Sequence, residues 1–100
     1  MKLQLTPAAL ADFRSIRAYT LANWGADQEA TYLDRMWEKL ESILADASKY
    51  RFRTDLFPGC QLAAEGKHVI LFRVSDSTLQ VVRVLHSAMD FKRHLGASSE

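Results

Sequence analysis

Two neighbouring stretches near the C-terminal end decide the fold: residues 69–74 read VILFRV and residues 79–86 read LQVVRVLH. Both are rich in β-branched and aromatic side chains and neither contains Gly or Pro, which is typical of β-strands. The polar residues 75–78, SDST, are suited to a tight turn between them. The sequence therefore predicts an antiparallel β-hairpin. Each strand carries one arginine, Arg73 and Arg83, and a guanidinium in an apolar strand either forms an ion pair or binds an anion.

Composition limits the class of protein. The chain has 100 residues, 48% of them hydrophobic, and a formal net charge of +1. This length and composition predict one domain with its own core, and the charge gives no general attraction to nucleic acid or to an anionic membrane. A single cysteine, Cys60, excludes an internal disulfide, and no apolar run is long enough to span a bilayer. We therefore expect a cytoplasmic protein without a membrane segment.

A short strand and a long helix are predicted at the N-terminus. Residues 2–6, KLQLT, alternate between polar and apolar side chains, as in a strand. Thr6 followed by Pro7 is a typical helix start, because Thr caps the first turn and Pro needs no hydrogen-bond acceptor there. Apolar residues then recur at helical spacing over residues 10–24, and Gly25 is predicted to end the helix.

A second helix follows almost immediately. Asp27 is the predicted N-cap, and apolar residues recur every three or four positions over residues 30–47. The short connection at Gly25 predicts that the two helices run antiparallel as a hairpin. Trp24 and Trp37 lie on the apolar faces of the predicted helices, so we expect both to pack in or near the core.

The remaining chain completes an α+β fold. Residues 60–64 are predicted to form a strand, followed by a turn into the β-hairpin, and residues 87–95 a short helical or irregular cap. The predicted architecture is an N-terminal strand, an antiparallel helical hairpin and a three-stranded antiparallel meander, with the helices on one face of the sheet. Residues 1–95 form the single predicted domain, and residues 96–100 are a polar tail.

Few residue patterns in this chain indicate chemistry. A glycine-rich phosphate loop, paired cysteines and histidines at helical ligand spacing are all missing, so no cofactor and no metal are expected. Arg83 and His86 lie on opposite faces of a regular strand and share a site only if the strand bulges. Whether Arg73 and Arg83 share a face depends on the hairpin register, which the sequence leaves open. A site that cleaves RNA would need a His, Lys or Glu and a Tyr or Arg that converge on one phosphate, and the C-terminal segment contains no tyrosine.

The same residues carry a family resemblance. The order of elements, together with residues 69–74, residues 82–86 (VRVLH), Met89-Asp90 and residues 93–95 (RHL), resembles the ParE branch of the RelE/ParE toxin superfamily of bacterial toxin–antitoxin systems. The run of residues 82–86 followed by Asp90 is the most specific element. The likeness extends over nearly the whole chain.

The resemblance implies the toxin of a type II toxin–antitoxin system, inhibited by a ParD-type antitoxin in a hetero-oligomeric complex. ParE-like toxins bind DNA gyrase, which implies a binding activity and no enzymatic one, and no sequence-specific contact with nucleic acid. RelE-like relatives instead cleave mRNA on the ribosome, and here Arg73, Arg83 and His86 are the candidate catalytic residues for that alternative. A non-toxic binding module is the third possibility.

Site residues follow from the same resemblance. We expect Arg73, Arg83 and Arg93 to bind carboxylates of the antitoxin, which is predicted to fill a groove between the first helix and the sheet. Four consecutive residues of the C-terminal cap are predicted to bind the target: Asp90, Phe91, Lys92 and Arg93. Deletion from Phe91 onward is expected to abolish toxicity and to leave the fold largely intact.

Overall fold

A four-stranded sheet forms the centre of the structure, a computed structural model that describes residues 1–98. In chain order the elements are β1 (Lys2–Leu5), α1 (Pro7–Trp24), α2 (Ala26–Ala45), a 3₁₀ turn (Ala47–Lys49), β2 (Gln61–Glu65), β3 (His68–Ser75), β4 (Thr78–His86) and α3 (Phe91–Ser98). The strand order across the sheet is β1-β4-β3-β2. The antiparallel meander of β2, β3 and β4 is confirmed, and β1 joins it parallel to β4, so the sheet is mixed.

Local sequence sets the ends of the two long helices. The Thr6 hydroxyl oxygen accepts a hydrogen bond from the Ala9 N–H at 3.0 Å, and Pro7 is the first residue of α1, as predicted. Gly25, at φ 89°, ends α1 and directly precedes α2. The prediction that Asp27 is the N-cap is therefore wrong. Asp27 lies in the first turn of α2, where its charge is favourable beside the helix N-terminus.

The larger core lies between the helical hairpin and one face of the sheet, called here the hairpin face. Ten buried residues form it: Ala9, Met36, Leu40, Ile43, Ala63, Ile70, Phe72, Leu79, Val81 and Val84. Trp24 and Trp37 are outside it, with 68% and 52% of their surface exposed, so the prediction that they pack in the core is wrong. Met36 already occupies the inward position of α2, and the next residue is turned away by about 100°.

A second, smaller core lies on the opposite face of the sheet, called here the α3 face. It contains Cys60, Leu62, Val69, Leu71, Leu85 and Leu95, and Leu56, Phe57 and Phe91 pack against it. The predicted C-terminal cap is thus a helix that covers apolar strand residues. Helices consequently lie on both faces of the sheet, and the prediction of helices on one face only is wrong.

Helix α3 also extends beyond the predicted domain limit. It includes residues 96–98, which the sequence assigned to the polar tail. Ser99 and Glu100, the rest of that tail, lie outside the described residues. No helix within residues 1–98 is long and apolar enough to cross a membrane.

A β-bulge in β4 determines which side chains share a face. Phe72 is opposite Val81, but the preceding residue of β3, Leu71, is opposite Arg83, so Val82 is an extra residue in β4. The shift places Val81 and Val84 on the same hairpin face. It also places Arg83 on the α3 face.

Candidate functional site

Arg83 forms a nearly buried ion pair with Asp12 of α1. Its Nε donates to Asp12 Oδ2 at 2.7 Å and its Nη2 donates to Asp12 Oδ1 at 2.9 Å. The exposed fractions of the two side chains are 15% and 14%. The hydrogen bonds to Asp12 raise the pKa of the Arg83 guanidinium above its usual value, so it stays charged. A bidentate pair in this setting is strong and geometrically specific.

The end of β1 explains why Asp12 is needed at this place. Because β1 stops at Leu5, β4 has no strand neighbour on that side beyond Val81. The Thr6 hydroxyl donates to the Val82 carbonyl at 2.7 Å, and Asp12 Oδ2 accepts the Val84 N–H at 2.9 Å. The start of α1 therefore satisfies the hydrogen-bonding groups of β4 that β1 leaves unpaired.

Arg83 also contacts the C-terminal helix. Its Nη1 donates to the His94 carbonyl of α3 at 3.5 Å. One guanidinium thus connects α1, β4 and α3. Arg83 is thus bound within the protein, whereas the family resemblance predicts that it binds the antitoxin.

Arg73 lies on the same face, two residues along β3 from the partner of Arg83, and its environment is open. Its Nε donates to Gln80 Oε1 at 2.8 Å, and Gln80 Nε2 donates to Gln4 Oε1 at 3.3 Å. The guanidinium carbon lies 5.8 Å from the centre of the Phe57 ring. Polar side chains on β1, β4 and β3 therefore form one row that holds the Arg73 guanidinium in place.

A depression of about 530 Å³ surrounds this row. It is lined by Gln4, Pro58, Gly59, Arg73, Val74, Ser75, Asp76, Thr78 and Gln80. Arg73 and Asp76 are the charged residues of this lining. The depression differs from the predicted groove between the first helix and the sheet, because α1 packs directly on the sheet there and buries Ala9 completely.

The predicted target-binding residues lie at the start of α3. Asp90 Oδ1 accepts the Arg93 N–H at 3.3 Å and so caps the helix. Lys92 and Arg93 are exposed, and Lys92 Nζ lies 3.9 Å from Asp55 Oδ2. Phe91 differs from the other three because its ring packs against the second core. A deletion from Phe91 onward would also remove the buried Leu95, so the expectation that it spares the fold is not compatible with this packing.

His86 belongs to a different cluster, on the hairpin face. It is directly opposite His68, with ring centroids 5.5 Å apart, and His68 Nδ1 shares a hydrogen bond with the Tyr32 hydroxyl of α2. Burial, with a smaller contribution from Glu65, raises the pKa of Tyr32 to about 12. Burial and the neighbouring His86 lower the pKa of His68. These shifts favour a neutral His68 ring and a protonated Tyr32 phenol.

Comparison with known proteins places the chain in a family. A family described as the ParE toxin of type II toxin-antitoxin systems, parDE, matches residues 3–91. The chain belongs to the ParE toxin family. Toxin ParE1 of Mycobacterium tuberculosis is 35% identical over 92 residues, which is 91% of this chain and 94% of that protein. Toxin ParE1 of Caulobacter vibrioides is 31% identical over 93 residues, which is 93% of this chain and 96% of that protein.

Solved structures agree with the ParE-family fold. A chain of the chromosomal ParDE toxin–antitoxin system of P. aeruginosa superposes with a TM-score of 0.72 at 20% identity, covering 86% of this chain and 95% of that one. A chain of the intact E. coli RelBE toxin-antitoxin complex gives 0.60 at 16% identity, covering 88% and 98%. The resemblance to the RelE/ParE superfamily is confirmed, and this chain is a ParE-type toxin of a toxin–antitoxin system.

Within this ParE-type toxin the three candidate ribonuclease residues are not brought together. Arg73 and Arg83 lie on the α3 face, where Arg83 is paired with Asp12, whereas His86 lies on the hairpin face beside His68. Among the described residues no group of three or more His, Cys, Asp and Glu side chains could hold a metal ion.

Sequence reasoning missed Asp12, Gln80 and Tyr32. Asp12 and Tyr32 lie 71 and 36 residues from their partners Arg83 and His68. Helical periodicity marks them only as polar residues near an apolar face. Gln80 carried a usable signal, because a hairpin that turns at residues 75–78 pairs Gln80 with Arg73.

Proposed function

We propose that this ParE-type toxin acts by binding DNA gyrase and is inhibited by a ParD-type antitoxin, in the cytoplasm. The observation that carries the proposal is the separation of Arg83 from His86 on opposite faces of β4. Cleavage of a phosphodiester needs an acid–base group and a cation that converge on one phosphate. A toxin without that convergence acts more simply by occupying a surface of its target.

The antitoxin is proposed to bind the cations that the fold leaves accessible. Arg73 and Arg93 are exposed and form no ion pair with a side chain that the structure describes, so either can bind a carboxylate without losing one. Arg83 would have to give up its two hydrogen bonds to Asp12 first. Of the three predicted antitoxin contacts, we therefore retain Arg73 and Arg93. The matched P. aeruginosa chain, which comes from a ParDE system, supports an antitoxin of the ParD type in a hetero-oligomer.

The proposed gyrase-binding surface is the exposed side of α3, at Asp90, Lys92 and Arg93. Phe91 is proposed to hold this surface in position, because its ring packs against the second core. Point substitutions are the appropriate probes, since truncation removes Leu95 as well.

The decisive experiment is a supercoiling and cleavage assay with purified gyrase. The proposal predicts that the toxin inhibits supercoiling or accumulates cleaved plasmid, and that the antitoxin reverses this. The double substitution Lys92→Glu and Arg93→Glu should abolish the effect. Arg14→Glu combined with Arg35→Glu, at exposed positions of α1 and α2, is the charge-matched control and should act as wild type. Full activity of the α3 variant would place the gyrase surface elsewhere, and an inert wild-type toxin would refute gyrase as the target.

One observation keeps the ribonuclease alternative open. The Tyr32, His68 and His86 cluster has titratable groups of the kind used in acid–base catalysis. However, Glu65 is opposite His68 in the sheet and places a negative charge where a phosphate would bind. A ribosome-dependent cleavage assay decides: codon-positioned mRNA cuts that disappear in His86→Ala would favour the enzyme.

The third alternative is a non-toxic binding module. It predicts no growth defect when the chain is expressed without its antitoxin, and inhibited growth would exclude it.

A further inference from the structure

We propose that the depression around Arg73 is a recognition site for a single carboxylate, supplied by an acidic side chain of the antitoxin. The inference rests on the proposed function for the existence of this partner and assigns one contact within it. It is carried by three observations: the fixed orientation of Arg73, the hydrogen-bond polarity of its neighbours and the charge balance of the lining.

Arg73 is held in place before any ligand binds. Gln80 accepts the Nε hydrogen at 2.8 Å, and the Phe57 ring lies 5.8 Å from the guanidinium carbon. The two terminal nitrogens of Arg73 have no hydrogen-bond partner among the side chains that the structure describes, so they are available to bind a carboxylate. A pre-oriented side chain loses less conformational entropy on binding than a free surface arginine does.

The neighbouring amides present donors. The Gln80 carbonyl oxygen is occupied by Arg73, and the Gln4 carbonyl oxygen is occupied by the Gln80 amide at 3.3 Å. The groups that remain for a ligand are therefore mainly N–H donors, together with the hydroxyls of Ser75 and Thr78 in the lining. Such a set favours an anion or a peptide carbonyl over a cation.

The charge balance indicates one carboxylate rather than a nucleic-acid backbone. The lining contains one cation, Arg73, and one anion, Asp76. Adjacent phosphates of a nucleic acid require several cations and would be repelled by Asp76. One carboxylate needs only one guanidinium, which it can bind through two parallel hydrogen bonds.

The test compares Arg73→Glu with Arg14→Glu in binding to the purified antitoxin, for example by calorimetry. Arg73→Glu should weaken binding by at least about tenfold, because a carboxylate would then face a carboxylate. Arg73→Lys should give a smaller loss of affinity, since lysine keeps the positive charge but cannot donate two parallel hydrogen bonds to one carboxylate. Arg14→Glu should bind as wild type. Both reversed variants change the net charge equally, so a general electrostatic effect would appear in both.

The outcomes separate this inference from the proposed function. If the wild-type toxin binds the antitoxin and Arg73→Glu binds equally well, the carboxylate site is refuted and the proposed function stands. If the wild-type toxin does not bind the antitoxin, the proposed function fails and the inference fails with it. If Arg73→Glu loses binding only to a labelled single-stranded RNA, the site is a phosphate site and the inference is overturned.

A photocrosslinking residue at Ser75 gives a second readout that does not depend on charge. Ser75 is exposed, lines the depression and lies two residues from Arg73 on the same face of β3, so a replacement there points toward a bound partner without disturbing the core. The crosslinked antitoxin peptide should contain Asp or Glu next to the attachment point. Crosslinks confined to a segment without acidic residues would contradict the proposal.

Discussion

Arg73 and Arg83 lie on neighbouring strands and on the same face of one sheet, and their surroundings give them different roles. Arg83 is under α3, where Asp12 and the His94 carbonyl bind it. Arg73 is exposed on the same face, beside the Phe57 ring and in a depression with a largely polar lining. The comparison shows that residue type and strand position do not determine whether an arginine stabilises the fold or binds a partner. The neighbouring elements determine it. Four predictions concern the stability of the two faces of the sheet and the binding at Arg73.

The largest effect is expected at Asp12. Asp12→Ala removes the carboxylate that pairs with Arg83 and accepts the Val84 N–H, so the free energy of unfolding should fall by about 3 kcal/mol. Urea denaturation measures it. Asp34→Ala, at an exposed position of α2, is the control and should change stability by less than about 0.5 kcal/mol. Equal stability of the two variants would mean that the ion pair between Asp12 and Arg83 does not stabilise the fold.

Removing the buried contact of α3 should have the next largest effect. Leu95 is only 6% exposed, and Leu95→Ala should lower the free energy of unfolding by about 2 kcal/mol. It should also speed the labelling of Cys60 by a thiol reagent under native conditions. Burial raises the pKa of Cys60 to about 11, so the wild-type thiol should react slowly. Leu21→Ala, at a 48% exposed position, should leave the labelling rate unchanged.

A pH effect is expected at the hairpin face. The pKa of His68 is lowered from its ordinary value of 6.5, so on acidification the unfolded chain binds this proton first. Stability should therefore be fully present above about pH 6.5 and should fall below it, by at most about 1.4 kcal/mol per pH unit for one group. Tyr32, Glu65 and His86 face His68 and set this response. The variant His68→Gln should show a flatter stability profile over this range, and an unchanged profile would exclude His68 as the cause.

The smallest stability effect is expected at Arg73. Arg73→Ala should change the free energy of unfolding by less than about 0.5 kcal/mol, because it removes one exposed hydrogen bond. The same preparation should bind the antitoxin more weakly than wild type. A large loss of stability would show that Arg73 is structural after all, and the contrast with Arg83 would disappear.

Local patterns were sufficient to predict most of the fold. Thr6-Pro7, Gly25 and the apolar spacing of α2 are signals within a few residues of one another, and the strands of the meander follow from their composition. The ParE resemblance was confirmed because it depends on the same linear order.

The parts that could not be predicted depend on contacts between distant residues. Nothing in residues 79–86 indicates that Val82 is the extra residue, yet this bulge determines the face of Arg83. The exposure of Trp24 and Trp37 depends on how much helix surface the sheet can cover. The second core depends on the packing of α3 against the sheet, and the sequence predicts this segment only as a short helical or irregular cap.

The pairing of β1 has a consequence for synthesis of the protein. Strand β1 is parallel to β4, with Lys2 opposite Thr78 and Leu5 opposite Val81, so β1 can pair only after β4 has been synthesised. Contacts between residues so far apart slow folding. A nascent or prematurely terminated chain that lacks β4 would leave the first strand without its neighbour and the larger core without Leu79, Val81 and Val84. Formation of the larger core is thereby coupled to the synthesis of β4.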